Sequence, residues 1–323
     1  MIKEPLIECV PNFSEGRDQS VIDAIAQSIE SVPGVKILHI DMGYDANRTV
    51  ITFVGSPEAS KEAAYRSILT ATHNIDMRKH HGAHPRIGAV DVFPFVPLKN
   101  VSMQEAIDIS VAIGRRIGAE LNIPVYLYNQ SAKIPYRQNL ADVRAGEYEG
   151  LRYKLQSPDG KPDFGPEVMN EKSGAMIIGA RNILVAYNIN LKSGDIQAAK
   201  KIANQIREKN GGLKGVRAIG WYMPEFKCAQ VPMNLVDIET TPLHIAFERC
   251  RQLAEASGIE INGSELVGLI PKKCLIDAAD HFVPGNQMDE EEKIKSAVEI
   301  LGLNAVKPFD IEKQIIEEAL NRP

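Results

Sequence analysis

A chain of 323 residues that is 44% hydrophobic exceeds the ~250 residues at which single hydrophobic cores usually stop growing, so two packed cores are expected. Charged residues make up 24% and aromatic residues 6%, and no apolar run approaches the ~18 residues of a membrane helix, which argues against a helical membrane protein or a membrane partner. The formal net charge of −5 argues against general nucleic-acid binding, whose affinity comes mainly from lysines and arginines neutralising phosphates; an anionic ligand would need cations gathered locally.

From the amino terminus, residues 1–13 show no basic region followed by an apolar core, so a cytoplasmic location is expected. Leu6 to Phe13 reads as a strand, and Ser20 to Ser31 as a helix with Val21, Ile22, Ile25 and Ile29 at helical spacing. Val35 to Asp41 and Arg48 to Gly55 are β-rich runs joined by a turn over Met42 to Asn47. Pro57 opens a helix to about Asn74, and Ile87 to Val96 is a further strand. The order is βαββαβ. Ser102 to Leu121 is an amphipathic helix, Val125 to Asn129 a strand, and Leu140 to Tyr153 a helix. Ser157 to Gly174, rich in Pro, Gly and Asp, reads as a long loop joining two halves.

The second half repeats the order: strand Ile183 to Asn190, helix Asp195 to Lys209, hairpin Val216 to Met223 with Gln230 to Glu239, helix Pro242 to Ser257, strand Ser264 to Pro271. The expected fold class is α+β, two ferredoxin-like βαββαβ subdomains with antiparallel sheets covered by helices, at residues 1–178 and 179–323. Cys9, Cys228, Cys250 and Cys274 are far apart with no C-x-x-C pair, which suits reduced, buried thiols. There is no Walker motif and no nucleophile elbow, and Gly211, Gly212 and Gly215 precede a strand instead of opening a helix.

Three of the seven histidines fall in His80-His-Gly-Ala-His-Pro-Arg86, where Gly82 and Pro85 disfavour a regular helix. Such a cluster suits proton transfer or metal binding, against the plain alternative of a solvated polar loop. His80 and His84 stand four apart, but the helix that would align them on a metal is broken and no further ligand cluster exists. The turn Asp41-Met-Gly-Tyr-Asp-Ala-Asn-Arg48 is mostly turn chemistry, except that Arg48 leads an apolar strand and is placed to fork onto a carboxylate, while Asp41 could orient an imidazole. Arg86, Arg137 and Arg144 could add to an anion site, although each alone is more often a surface residue or a structural ion pair.

The strings Glu8-Cys-Val-Pro-Asn-Phe-Ser-Glu-Gly16, Asn47-Arg-Thr-Val50, His80-His-Gly-Ala-His-Pro-Arg86, Arg144-Ala-Gly-Glu-Tyr-Glu149, Asp163-Phe-Gly-Pro166, Ala186-Tyr-Asn-Ile-Asn190 and Ile219-Gly-Trp-Tyr222 resemble, in order, the glutamate formimidoyltransferase (formiminotransferase) family. The resemblance implies two ferredoxin-like halves, a homodimer, and transfer of the formimino group from N-formimino-L-glutamate to N5 of the co-substrate tetrahydrofolate, with no metal. It places the catalytic histidine at His84 and an acidic partner at Asp41, with Arg48, Arg86 and Arg144 available for substrate carboxylates. The family's folate-binding stretch falls on Gly165, Pro166, Glu167, Val168, Met169, Asn170, Glu171, Lys172, Ser173 and Gly174, of which residues 167–173 depart from the animal pattern. Ala83 stands where the animal proteins are expected to carry glutamate. In animals the region is fused to a cyclodeaminase, which this chain is too short to include. The competing readings are formyl transfer between 5-formyltetrahydrofolate and glutamate, a non-catalytic folate-binding protein, and a metal hydrolase.

Overall fold

Proline cannot donate to a ladder, and Pro11 divides the first apolar run into β1 (Leu6–Cys9) and β2 (Asn12–Phe13), both of which pair with the same two neighbours. The computed structural model describes residues 4–285 and 287–322, and the chain divides into two units, Met1–Arg181 and Asn182–Pro323. In the first, α1 (Gln19–Glu30) starts at an Asp18 cap that accepts from Ser20 N, 2.9 Å away. Then follow the hairpin β3 (Lys36–Gly43) and β4 (Arg48–Gly55), α2 (Pro57–Asn74) and β5 (Val90–Lys99). The spatial order is β3, β4, β1 with β2, then β5, all antiparallel.

The sheet continues beyond β5. Helix α3 (Met103–Glu120), opened by a Ser102/Glu105 capping box, leads to β6 (Val125–Asn129). After α4 (Leu140–Arg144) and α5 (Glu147–Gln156), β7 (Met176–Ala180) slots between β5 and β6, parallel to both. The first sheet is therefore mixed at this edge. One face packs Phe13, Ile51, Phe53, Phe93 and Phe95 against α1, α2 and α3 through Ile22, Ile25, Ile68, Ile109 and Ile113. Each such side chain removed from water is worth ~1.5–3 kcal/mol. At the β5–β7–β6 end the opposite face is covered too, with Val92, Tyr126, Tyr128 and Ile177 against Val143, Leu151 and Leu155 of α4 and α5.

The second unit runs β8 (Val185–Leu191), α6 (Ile196–Ile206), β9 (Val216–Ala218), β10 (Trp221–Met223), β11 (Cys228–Leu235), α7 (Leu243–Glu255) and β12 (Ile261–Val267). Its order, β9 with β10, β11, β8, β12, repeats that of the first unit. Four helices follow: α8 (Lys272–Phe282), α9 (Glu290–Ile300), α10 (Ile311–Gln314) and α11 (Ile316–Asn321). They extend the core with Leu275, Ala278, Ile294 and Leu301.

Four sequence expectations need correction. Residues 157–174 do not join the units; they return the chain to the first sheet at β7, and the division lies after Arg181. The helix expected over Leu140–Tyr153 breaks at Ala145 and Gly146, with Gly146 at φ 87° and Glu147 at φ 53°. The strand expected over Val216–Met223 is interrupted at Gly220, where a Cβ would lie 2.3 Å from Lys200 N. Arg137 belongs to no anion site: it is 1% exposed and holds Asp163 at 2.6 Å, the carbonyl of Lys161 at 2.6 Å and that of Asp159 at 3.0 Å. All four cysteines are buried free thiols, and burial pushes Cys250 and Cys274 up to about 12. Among the described residues no helix is long and apolar enough to cross a membrane.

The Arg137 fork secures the loop over residues 157–163. Arg137→Met leaves the buried Asp163 with only the more distant Lys133, 4.0 Å away, and urea unfolding should show a loss of about 3–5 kcal/mol. A loss under about 1 kcal/mol would show that the pair is not structural.

Candidate active site

The β3–β4 turn needs one residue in the left-handed region, and Asn47 occupies it at φ 47°, a conformation that asparagine tolerates better than most side chains. Its side chain then serves two other segments. Oδ1 accepts from Gly16 N at 2.9 Å, and Nδ2 donates to the carbonyl of His81 at 3.0 Å. The Asn47 carbonyl accepts from His80 Nε2 at 2.8 Å, and Ala83 N donates to the carbonyl of Asp45 at 3.1 Å. Two glycines permit this closeness: a Cβ on Gly16 would lie 2.3 Å from the Gly43 oxygen, and one on Gly82 2.2 Å from the Ala46 oxygen. Segments 14–17, 43–48 and 80–86 thereby form one rigid surface.

His84 projects from it. Nδ1 donates to the carbonyl of Pro85 at 2.7 Å, which leaves Nε2 as an acceptor, and Arg48 Nη1 donates to it. Burial, then the cations of Arg48 and Arg144, push this imidazole down to about 4, against weaker opposing contributions from Asp91 and the Pro85 carbonyl. It is therefore a neutral base at pH 7. Burial also pushes Arg48 down to about 10; Asp91 and Asp41 oppose that shift, and Arg144 adds to it.

Asp91, fully buried at the start of β5, carries the second guanidinium: Arg144 Nε donates at 3.2 Å, Arg144 Nη2 pairs with the other carboxylate oxygen, and Ile87 N donates at 3.1 Å. Asp91 is not among the residues that the sequence singles out. Its signal was one carboxylate inside an otherwise apolar strand. Asp41 stands on β3 opposite Val50, two residues from the Gly43–Arg48 pair, so it shares a sheet face with Arg48 and acts on that guanidinium through space.

Arg86 points elsewhere. Its side chain is 8% exposed and binds Glu149 at 2.5 Å and Glu147 at 3.0 Å, while its Nε donates to His80 Nδ1 at 3.2 Å. Both nitrogens of His80 are thus committed, which removes it as a metal-ligating partner for His84. Beside this cluster lies an open depression of about 480 Å³ lined by His81, Gly82, Arg86, Gly146, Glu147 and Glu149, next to the His84 site and not at it.

Residues 165–174 run from the end of α3 to the segment that follows Arg86. Gly165 and Gly174 take φ 81° and 69° and pack against the carbonyls of Ile123 and Ile87. Ala89 N donates to the carbonyl of Ser173 at 2.8 Å, which sets this end of the stretch beside the site. Most polar side chains here are occupied. Glu167 pairs with Lys161 at 3.1 Å and Glu171 with Arg152 at 2.7 Å, Lys172 donates to the His73 carbonyl at 2.7 Å, and Asn170 accepts from Ser173 N at 3.0 Å. Met169 packs inward, and Val168, 72% exposed, presents an apolar surface next to Pro166.

Residues 6–181 match the formiminotransferase domain, N-terminal subdomain, and residues 186–321 the formiminotransferase domain. The glutamate formimidoyltransferase of Streptococcus pyogenes is 44% identical over 289 residues, 90% of this chain and 97% of that protein. That of Thermoplasma acidophilum is 43% identical over 296 residues, 91% and 97% of the two chains. The formimidoyltransferase-cyclodeaminase of Rattus norvegicus is 48% identical over 321 residues, 97% of this chain but 59% of that protein, so the chain spans about three-fifths of such relatives.

The Gly82 contact makes the loop test direct. Gly82→Ala forces a methyl into the Ala46 carbonyl, and chemical denaturation should show a loss of about 1–3 kcal/mol, with displaced His84 resonances in an NMR spectrum. A variant with the stability and the His84 signals of the wild type would remove the tight seat assigned to this loop.

Proposed function

The chain belongs to the formiminotransferase family, and from that premise we propose that it transfers the formimino group of N-formimino-L-glutamate to N5 of tetrahydrofolate, releasing L-glutamate. The observation that carries this reading is His84: a neutral imidazole with its Nδ1 proton fixed on a carbonyl, its Nε2 left as the accepting nitrogen and met by Arg48, and a second guanidinium, Arg144, nearby. N5 attacks the formimino carbon and forms a tetrahedral centre. His84 Nε2 takes the proton N5 must lose and returns it to the departing glutamate nitrogen, so the carbon–nitrogen bond breaks without a free amide anion. Arg48, which pairs with no carboxylate among the described residues, binds a substrate carboxylate, and Arg144 adds charge while it holds Asp91. Asp41 balances the amidinium charge from the same sheet face as Arg48. Arg86 holds the histidine loop through His80, Glu147 and Glu149, and residues 165–174 offer tetrahydrofolate a backbone and apolar surface at Pro166 and Val168. The protein works in the cytosol as a homodimer.

Three measurements test the assignment. His84→Ala should lower kcat by roughly 10²-fold or more and leave tetrahydrofolate binding intact. Turnover of formylglutamate but not of formiminoglutamate would overturn the donor assignment. Because His84 is held near 4, it loses its proton-accepting form only below that value. The kcat/KM profile for formiminoglutamate should therefore stay level from neutral pH through about 5 and fall near 4, whereas an acid limb at the ordinary imidazole value of about 6.5 would contradict the electrostatics described.

A further inference from the structure

Arg48 is placed in an unusual way for a half-buried arginine. Arg144 already takes Asp91 through both carboxylate oxygens, so Arg48 feels that charge without a bond to it. One of its donors, Nη1, rests on the neutral His84 Nε2, and its buried Nε has no hydrogen-bond partner among the described residues. A buried donor without an acceptor costs about 1–3 kcal/mol, and a carboxylate can take two parallel hydrogen bonds from a guanidinium where one imidazole nitrogen takes a single one. The resting site is thus short of one carboxylate, and the base the reaction needs is meanwhile occupied by the arginine that lacks it.

We infer that Arg48 caps the lone pair of His84, and that a carboxylate of the formiminoglutamate substrate removes the cap by drawing the guanidinium onto itself. The inference rests on the proposed reaction and adds the control of its base. With the donor absent, Nε2 is masked. With the donor bound, Arg48 forks onto the substrate carboxylate, Nε2 is exposed, and the nearer of the two charges that, after burial, depress the imidazole is neutralised. The groups that face His84 are Arg48 and, through it, Asp41 from the β3–β4 hairpin, Arg144 from α4, Asp91 from β5 and the Pro85 carbonyl of its own loop. Of these, only Arg48 touches Nε2, so an incoming anion acts chiefly through it. The formimino donor then has to be in place before N5 can lose a proton. Arg48 is in this sense both a substrate ligand and a positioning residue for His84.

L-Glutamate, the released product, carries the needed carboxylates and cannot react. NMR titration of the His84 imidazole in the intact protein, with and without L-glutamate that calorimetry shows to be bound, should place its pKa about one unit or more higher with the ligand. Steady-state profiles give the same contrast, with the acid limb of kcat lying about one unit or more above that of kcat/KM. In Arg48→Met the free protein's His84 should already titrate above the wild-type value, still below the ordinary imidazole value because burial and Arg144 remain, and L-glutamate should move it no further. If that variant does not fold, the wild-type titration decides alone. Bound L-glutamate that leaves the His84 pKa in place, or an equal shift in Arg48→Met, overturns the cap. Absence of L-glutamate binding overturns the substrate reading itself, and the cap with it.

Discussion

A carboxylate with no exposure to water has to be matched by a cation, and Asp91 meets that requirement through Arg144. The rest of the site follows from this one pairing. It pulls α4 across the second face of the first sheet, where Val143 beds against Val92 and Ile177. It brings a positive charge beside His84. It also consumes the carboxylate that would otherwise satisfy Arg48, so the Arg48 guanidinium turns to an imidazole nitrogen. One buried acid thereby leaves a guanidinium without a carboxylate bond in a protein whose net charge is −5.

Two local irregularities divide the remaining tasks. The break at Ala145 and Gly146 sends Arg144 to Asp91 on one side and Glu147 with Glu149 to Arg86 on the other, which an unbroken helix could not do with residues so close in sequence. The left-handed Asn47 ties the hairpin to the segments around Gly16 and His81 with one side chain. Precise placement of His84 therefore depends on residues that do no chemistry.

The legible parts of the fold were those with strong local signals. Arg48–Gly55, Pro57–Asn74 and Val125–Asn129 have the bounds their patterns suggest, because a turn, an N-terminal proline or flanking breakers mark each end. β7 was not legible: Met176-Ile-Ile-Gly-Ala180 is five residues of ambiguous period, and it is a strand because β5 and β6 both offer it an edge. The helix from Glu290 was legible and passed over, since Asp289 and Glu292 form a capping box readable in the sequence. In the site, the histidine cluster and Arg48 could be found from residue type and spacing, and the family resemblance singled out His84 within the cluster. The diversion of Arg86 onto Glu147 and Glu149, and the partnership of Asp91 with Arg144, join residues more than fifty positions apart, and no local pattern encodes them.

Ala83 is held by its backbone alone: its N–H bonds the Asp45 carbonyl, and the residue is exposed. The loop's architecture is thus indifferent to the side chain at position 83, one residue from the base. An acidic group there would lift the His84 pKa through space without disturbing a seat in the fold, and a neutral one leaves it low. Evolution has in this position a tuning point for the working pH of the histidine, separable from the scaffold that aims it.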